Sequence, residues 1–371
     1  MTILLYIFLS LLLLYAALLL ILALGYMFTK WFKAKDKTLQ MPLSIIICAR
    51  NEEKNITLCL RSILKQDYVL RKVQLILIND ASTDETVLRA ESILKGSDLN
   101  YKIITNPEHI GKKQSIITAM QQVSNAVVVL HDADTFTISP KWLQSISDLY
   151  QQSQPDMIIA PIGIANNTGL LWALQAIETK VLALFAAGSA FYKLPFLCNG
   201  ANLIFTKAIF EKTGSFQSHL NVASGDDILF LEAVKKIPDA KILYLKSKDA
   251  LVYTYPAFSF SQLLNQKVRW ASKFKPNTNV LNRALALLSF LVNAGWLFCF
   301  VLAYLSAQHL NAALFFIFFK LSIDILLLFL ASGFIKNKRL LWYSLPVGCI
   351  YPVYACMVAL ASLFLKPNWK K

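Results

Sequence analysis

Aspartates at three separate places have the types and spacing for chemistry on a phosphorylated compound. Asp132 and Asp134 stand one residue apart, directly after the apolar run Val127–Leu130. Two carboxylates this close repel each other unless a cation or hydrogen-bond donors compensate, and hard oxygen ligands suit Mg²⁺ or Mn²⁺ carrying a diphosphate. A solvated loop is the alternative. The order in which this pair follows Asp80 along the chain favours the metal.

The other two places offer a binding carboxylate and a proton acceptor. Asp80 follows the β-rich run Val73–Ile78, where no helix cap is needed, although Thr83 and Thr86 can cap the next helix. Asp226 and Asp227 precede a helical run. Asp226 can act as the N-cap while Asp227 takes a proton from an attacking hydroxyl.

Two basic or aromatic segments complete the candidate set. Gly111-Lys112 opens a helix whose free N–H groups, together with Lys112, can meet phosphate, but the glycine and Lys-Ser/Thr pair of a Walker loop are missing. Gln266, Arg269 and Trp270 form a Gln-x-x-Arg-Trp pattern on a helical stretch. The indole offers a stacking face for a sugar and Arg269 offsets a diphosphate charge, whereas an interfacial helix is the plainer alternative.

The elements that must position these residues alternate between strand and helix. The predicted strands are Leu43–Ala49, Val73–Ile78, Tyr101–Ile104 and Ala126–Leu130, and the predicted helices are Glu53–Leu64, Asp84–Leu94 and Lys112–Val123. This alternation predicts a mostly parallel sheet with crossover helices. Ligands bind such sheets beyond the carboxyl ends of the strands, which is where the acidic clusters fall.

Composition adds a membrane to this α/β domain. The chain has 371 residues, of which 56% are hydrophobic and 16% charged, and its mean hydropathy is +0.50. These values exclude disordered, collagenous and disulfide-stapled proteins. The net charge of +15 attracts nucleotides, anionic lipid headgroups or nucleic acid. A nucleic-acid partner is disfavoured because acidic clusters occupy the strand ends.

Four apolar stretches are long enough to span a bilayer. Ile3–Met27 is predicted to be a signal anchor, and Lys30, Lys33, Lys35 and Lys37 place its following flank in the cytoplasm. The others are Val280–Leu305, Ala313–Phe334 and Leu341–Leu365. Three C-terminal spans leave Lys366, Lys370 and Lys371 outside, so either the last segment is a re-entrant hairpin or the positive-inside rule fails there. Lys320 and Asp324 form a structural pair or line a polar path.

The five motifs in this order resemble one family. They are Ser44–Glu52, Asn79–Asp84, Asp132–Asp134, Gly225–Asp227 and Gln266–Trp270. The chain is similar over about Pro42 to Lys275 to the membrane-integrated family-2 glycosyltransferases of GT-A fold, the group that contains hyaluronan, chitin and cellulose synthases and ceramide glucosyltransferases. Asn79 replaces a frequent Asp, Asp226 replaces the usual Glu, and four spans are few for a polymer channel.

The resemblance implies roles for individual residues. Asn51, Glu52 and Asp80 would hold the uridine, Asp132 would face the ribose and sugar-phosphate, and Asp134 would bind Mg²⁺ or Mn²⁺. Asp227 would be the catalytic base, with Asp226 beside it. Gln266, Arg269 and Trp270 would bind the diphosphate and the terminal unit of the acceptor, and Asn199 or Asn202 would touch the acceptor unless Cys198–Asn202 is a plain turn.

The sequence therefore predicts three domains and an activity. Residues 1–29 form a transmembrane anchor, 40–275 a Rossmann-like GT-A domain in the cytosol, and 280–366 the C-terminal transmembrane helices. The expected reaction is an inverting, metal-dependent transfer from a nucleotide sugar, expected to be UDP-linked, to a lipid or glycan hydroxyl at the cytoplasmic face of the cell membrane. The alternatives are a processive polysaccharide synthase and a non-catalytic subunit that binds glycan or lipid.

Overall fold

The computed structural model describes residues 2–35, 39–214, 226–271, 280–332 and 339–365. The chain divides into two compact units. We call Phe28–Ala165 with Ser189–Tyr255 the sheet unit, and Met1–Met27, Asn166–Gly188 and Pro256–Lys371 the helical unit. The helical unit thus takes in segments around residues 166–188 and 256–271, which the sequence assigns to the predicted GT-A domain.

A seven-stranded sheet forms the centre of the sheet unit. Its strands lie in the order β3-β2-β1-β4-β8-β6-β9. They are β1 (Leu43–Ala49), β2 (Val73–Asn79), β3 (Asn100–Thr105), β4 (Val127–Asp132), β6 (Met157–Ile159), β8 (Asn202–Thr206) and β9 (Ile242–Tyr244). The first four are parallel to one another, whereas β8 runs antiparallel to both β4 and β6. The predicted mostly parallel sheet is confirmed, with this antiparallel strand as an addition.

The central strands are parallel because both of their faces are covered. In β1 every residue except Cys48 is buried, and β2 and β4 show nearly continuous burial. The flanking helices are α2 (Ile56–Leu64), α3 (Thr86–Leu94), α4 (Lys112–Met120), α5 (Trp142–Ser153), α7 (Lys207–Lys212) and α8 (Asp226–Lys235). A small second sheet pairs β5 (Thr135–Thr137) and β7 (Ile162–Ile164) with β10 (Val252–Thr254).

The helical unit is built from helices. They are α1 (Thr2–Phe28), α6 (Leu170–Phe191), α9 (Phe260–Ala271), α10 (Val280–Leu305), α11 (Leu310–Ala331) and α12 (Arg339–Phe364). All of these except the shorter, more polar α9 are long and apolar. Among the described residues, five of the protein's helices are long and apolar enough to cross a membrane: α1, α6, α10, α11 and α12. Four coincide with the predicted spans. The sequence did not predict α6, whose Glu178 and Lys180 interrupt the apolar run.

α6 lies in the connection between β6 and β8, two strands that pair with each other.

The last apolar segment is one helix. α12 continues over 26 residues and contains both Pro346 and Pro352, so the re-entrant hairpin, one of the two alternatives for this segment, is wrong for residues 339–364. Proline is tolerated in apolar helices because neighbouring groups satisfy the freed carbonyls. Lys37, Lys336, Lys338, Lys366, Lys370 and Lys371, on which the predicted orientation partly rests, lie outside the described residues.

Candidate active site

Three neighbouring strands deliver the polar motifs to the same edge of the large sheet. β1 lies between β2 and β4, with Ala49 opposite Asn79 and Cys48 opposite Asp132. Residues 50–53, 79–85 and 132–134 consequently leave the sheet side by side. We call these three segments the strand-end site.

Two residues with left-handed backbone lock the first two segments together. Asn51 has φ +53° and Ala81 φ +55°. The N–H of Asn51 donates to Oγ of Ser82 at 3.0 Å, and Oδ1 of Asn51 accepts from the N–H of Thr83 at 2.9 Å. Thr83 is therefore engaged with Asn51 and does not cap α3 as predicted; Asp84 accepts from the N–H of Thr86 instead, at 3.0 Å. The Asn51 side chain organises the site in addition to its predicted uridine contact.

A buried thiol lies near the ends of β1 and β4. Cys59 on α2 is fully buried, and its Sγ lies 3.8 Å from the carbonyl oxygen of Asp132. Burial raises the pKa of Cys59, and the negative charges of Asp134, Asp132 and Glu52 raise it further. Residues at the ends of both β1 and β4 therefore contribute negative charge that acts on Cys59. Oε2 of Glu52 also accepts from Nδ2 of Asn55 at 2.7 Å.

Asp80 is saturated by donors from a single loop. Its Oδ1 accepts from the N–H of Ile110 at 2.9 Å and from Nδ2 of Asn106 at 3.0 Å. Its Oδ2 accepts from the N–H of Gly111 at 3.0 Å and lies 2.7 Å from Nδ1 of His109. Burial acts to raise the pKa of Asp80, but the hydrogen bonds from Ile110, Asn106 and His109 outweigh it and hold the pKa below its usual value.

This arrangement bears on two sequence expectations. The N–H groups of Ile110 and Gly111, just before α4, already meet an anion, and that anion is Asp80. The N–H of Gly111 is thus engaged by Asp80, and the expected phosphate contact at the start of α4 stays a prediction. A carboxylate has about four acceptor positions, so the predicted contact between Asp80 and uridine requires one of the loop bonds to open. That contact stays a prediction.

Lys112 and Asp132 form an ion pair at the strand-end site. Nζ of Lys112 lies 2.5 Å from Oδ1 of Asp132, and the side chains are 35% and 31% exposed. The loop that Asp80 organises thus carries a cation to the end of β4. Both groups remain accessible to a ligand.

The donor set around β4 fits a divalent cation bound together with a diphosphate. Asp134 is exposed, and its carbonyl oxygen accepts from Oγ1 of Thr254 at 3.4 Å. The described residues contain no cluster of three or more His, Cys, Asp or Glu able to hold a metal. Mg²⁺ commonly takes only one or two carboxylates and completes its shell with waters and substrate phosphates. The carboxylate of Asp132 already pairs with the ammonium of Lys112, so this position can hold a positive charge.

Behind Asp132 the sheet is held by buried polar groups. His131 is fully buried, and burial lowers its pKa to about 4. The adjacent Trp142 donates from Nε1 to Oδ1 of Asn202 at 3.1 Å, while Nδ2 of Asn202 donates to the carbonyls of Pro161 and Ala250, both at 2.8 Å. Asn202 has no exposed surface. Its predicted acceptor contact stays a prediction, and it would have to break these bonds.

Asp227 lies next to the segment predicted to meet the acceptor. Its Oδ2 accepts from the N–H of Gly200 at 3.4 Å, its Oδ1 accepts from the N–H of Ile228 at 2.8 Å, and the residue is 7% exposed. Oδ1 of Asn199 accepts from the N–H of Ala201, which makes residues 199–202 a turn. Asp226 begins α8; its side chain, together with Ser224 and Gly225, lies outside the described residues.

Gln266, Arg269 and Trp270 lie on α9 of the helical unit. The residue between them, Lys267, is buried and contacts two groups within that unit. Its Nζ lies 2.5 Å from Oε2 of Glu178 on α6 and 4.2 Å from the ring centre of Trp270. The predicted helix over this segment is confirmed. The contacts of Lys267 add Lys267 and Glu178 to the candidate residues.

Several residues near the candidate site were not predicted from the sequence, because their sequence signals are weak. Asn106 and His109 lie in the connection after β3, where polar residues are ordinary. A charged residue within an apolar run was a signal for Glu178, because such groups are costly unless paired. Lys267 was visible inside the Gln-x-x-Arg-Trp pattern but had no evident partner.

Comparison with known proteins finds a family match over part of the chain. Residues 44–212 match the sequence profile of Glycosyl transferase family 2. This segment is a glycosyltransferase family 2 domain. An uncharacterized glycosyltransferase of Haemophilus influenzae is 35% identical over 104 residues, which cover 28% of this chain and 31% of the relative. Glycosyltransferase AglE of Haloferax volcanii is 24% identical over 229 residues, 61% of this chain and 71% of AglE.

Further relatives differ in how much of their length is matched. An N-acetylglucosaminyltransferase of Bradyrhizobium elkanii is 26% identical over 130 residues, 34% of this chain and 69% of the relative. A solved mannosyltransferase, PcManGT from Pyrobaculum calidifontis, has a TM-score of 0.62 at 16% identity, covering 98% of this chain and 97% of the other. This likeness shows the fold of the glycosyltransferase domain, which is GT-A-like with a mixed, mostly parallel sheet.

Proposed function

We propose that this protein transfers a sugar from a nucleotide sugar, UDP-linked by the resemblance, to a hydroxyl of a lipid or glycan at the cytoplasmic face of the membrane, with inversion at the anomeric carbon. The observation that carries the proposal is the strand-end site, where β1, β2 and β4 bring residues 50–53, 79–85 and 132–134 to one edge of the sheet inside the glycosyltransferase domain. Asp227 beside the 199–202 turn supplies a carboxylate for the acceptor side.

The reaction requires one proton acceptor and one stabilised leaving group. Asp227 takes the proton of the acceptor hydroxyl while that oxygen bonds to the anomeric carbon. The bond from this carbon to the diphosphate breaks, and its electron pair leaves with the diphosphate. Each well-placed group that stabilises such charge is worth about 3 to 4 kcal/mol. Lys112 forms an ion pair with Asp132, and its ammonium can pair with the diphosphate when a nucleotide is bound.

The proposed metal and the proposed nucleotide sugar are supported by related proteins and by the carboxylates near the end of β4. PcManGT was solved with GDP-Man and Mn²⁺, and several relatives are N-acetylglucosaminyltransferases. Asp134, with Asp132 beside it, would hold Mg²⁺ or Mn²⁺. Bound there, the cation neutralises the charge of the diphosphate. Asn51, Glu52 and Asp80 keep their proposed uridine roles, Asp226 its place beside the base, and Gln266, Arg269 and Trp270 their roles toward diphosphate and acceptor.

The membrane anchor belongs to the same proposal. The basic flank after α1 is expected in the cytoplasm, and α10, α11 and α12 provide three further candidate spans. A membrane-resident enzyme meets acceptors that are themselves lipids or lipid-linked glycans. Anionic headgroups are then partners of the basic flank.

The test is a screen of UDP- and GDP-sugars against membranes that contain the full-length protein. We expect one donor to add mass to a lipid or glycan, the gain to vanish with EDTA and to return with Mn²⁺ or Mg²⁺. Detergent extraction separates single addition, which gives one glycolipid band, from a processive synthase, which gives a long polymer. Absence of both transfer and UDP-sugar hydrolysis with every donor would instead support a non-catalytic binding subunit.

A further inference from the structure

The strongest unassigned feature is a buried charge pair beside the Gln-x-x-Arg-Trp segment. Lys267 is 7% exposed and its Nζ contacts Oε2 of Glu178 at 2.5 Å. The side chains of the pair are 8% and 15% exposed. A buried ion pair is weak evidence for stability, because removing both ions from water offsets much of their attraction. A role other than stability is therefore the better explanation for keeping it.

The position of the ammonium indicates that role. Lys267 and Trp270 are three residues apart on α9, which places them on the same face of the helix. Nζ of Lys267 lies 4.2 Å from the ring centre of Trp270, within the distance at which a cation is attracted by an indole face. The lysine has a flexible four-carbon stem, so its carboxylate partner decides where the ammonium stays.

A second contact fixes the same two segments. Gln175 lies three residues before Glu178 on α6 and is 4% exposed. Its Nε2 donates to the carbonyl oxygen of Ala257 at 3.1 Å, and its Oε1 accepts from the N–H of Ala257 at 2.8 Å. α6 thus holds the chain just before α9 through Gln175 and α9 itself through Glu178.

We infer that Glu178 is a positioning residue for Trp270: it holds the ammonium of Lys267 against the indole, and so fixes the face on which the acceptor's sugar stacks. This inference rests on the proposed function, in which Trp270 binds the acceptor. The apolar composition of α6 does not indicate this positioning role. Glu178 and Lys267 act through Trp270 and do not themselves touch the reacting atoms.

The inference is tested first without turnover. The Trp270 signal is obtained by subtracting the fluorescence of the Trp270→Phe variant in each background of the full chain. We expect Lys267→Met and the double variant Glu178→Gln/Lys267→Met to increase acrylamide quenching of Trp270, and Lys267→Arg to leave it as in the wild type, since a guanidinium also stacks on indole. Asp324→Asn, which removes the acidic partner of buried Lys320, should not change it.

Exchanging the two charges separates positioning from stability. The variant Glu178→Lys/Lys267→Glu keeps an ion pair but puts a carboxylate beside the indole. We expect it to fold, to keep the KM for the nucleotide sugar within about twofold, and to lose about 10- to 100-fold in kcat/KM for the acceptor, a loss typical of misplaced binding groups. Lys267→Arg should retain acceptor kinetics.

The outcomes distinguish this inference from the proposed function. Wild-type acceptor kinetics and wild-type quenching in the exchanged variant would show that the pair is only structural and would overturn the inference. If the wild type transfers no sugar from any donor, the proposed function fails, while the quenching series still decides whether Glu178 and Lys267 hold Trp270. Should the exchanged variant not fold, the neutral double variant answers the same question.

Discussion

The functional side chains of the sheet unit and those of the helical unit are held by different kinds of contact. In the sheet unit, Asp80 accepts from the N–H groups of Ile110 and Gly111, and Asp227 from those of Gly200 and Ile228. In the helical unit, Trp270 is contacted by Lys267, which depends on Glu178. Main-chain donors are present whatever the neighbouring side chains are, whereas an ion pair disappears with one substitution.

Because of this difference, the two units tolerate different substitutions. A carboxylate bound by main-chain N–H groups keeps its position as long as the strand ends keep theirs, and the strands are fixed by a fully buried core that includes Ile45, Leu75 and Val129. In the helical unit, the Gln-x-x-Arg-Trp segment on α9 depends on Glu178, which lies on another helix, α6. Single substitutions in the sheet unit should therefore change its chemistry or its local order without moving the strands.

The largest effect is expected from Asp227→Asn. Asparagine keeps the oxygen that accepts from Ile228 and loses only the longer bond from Gly200, but it has no basicity. The fold and donor binding should therefore remain while transfer falls about 100- to 10,000-fold. Donor affinity is measured by titration with UDP-sugar and the rate by product mass spectrometry. Wild-type turnover by this variant would remove Asp227 from its role, and loss of donor binding would mean that the carboxylate positions rather than reacts.

A smaller effect is expected on acidification. Burial lowers the pKa of His131 from 6.5 to about 4, so the unfolded chain binds its proton first. The stability that the neutral ring contributes is complete above about pH 6.5 and is lost as the pH falls toward 4, on the order of 3 kcal/mol. Unfolding followed by Trp142 fluorescence at several pH values measures it. The His131→Gln variant should lose this part of the pH dependence; an unchanged slope would assign it to another group.

Asp80→Asn should cost about 2 kcal/mol, because the amide cannot accept at both positions and one buried donor is left unpaired. Hydrogen exchange of residues 106–112 should accelerate, since these residues provide the four donors. The matched control is Asp98→Asn, which removes an ion pair with Arg71 whose side chains are 70% and 80% exposed, and whose loss should be close to neutral. Equal exchange in both variants would show that Asp80 does not hold the loop.

Asp80 also marks the limit of what the sequence predicts. The alternation of strands and helices predicts that Asp80, Asp132 and Asp134 leave the sheet at one edge, because parallel strands end together. It does not predict which donors reach a carboxylate. That depends on the path of residues 106–111, whose Gly111 has φ +86°, and no periodicity specifies such a path.

The helical unit was predictable in composition but not in pairing. The four predicted spans follow from apolar length alone, which is a local property. Glu178 and Lys267 are far apart in the chain, and neither residue type specifies the other as its partner. The antiparallel β8 was missed for the same reason, since its pairing with β4 depends on a connection that contains all of α6.

The smallest expected effect compares the two left-handed residues of the strand-end site. Ala81→Gly should stabilise the protein by about 0.5 to 1 kcal/mol, because a glycine adopts φ +55° without the clash of a Cβ, a gain only partly offset by the greater freedom of the unfolded chain. Asn51→Gly relieves a similar φ of +53° but deletes the oxygen that accepts from Thr83, so it should destabilise by a similar amount. Urea unfolding of both variants measures the pair. If both are stabilised, the Asn51 side chain contributes nothing to the order of the strand ends, and main-chain contacts alone hold the first two segments.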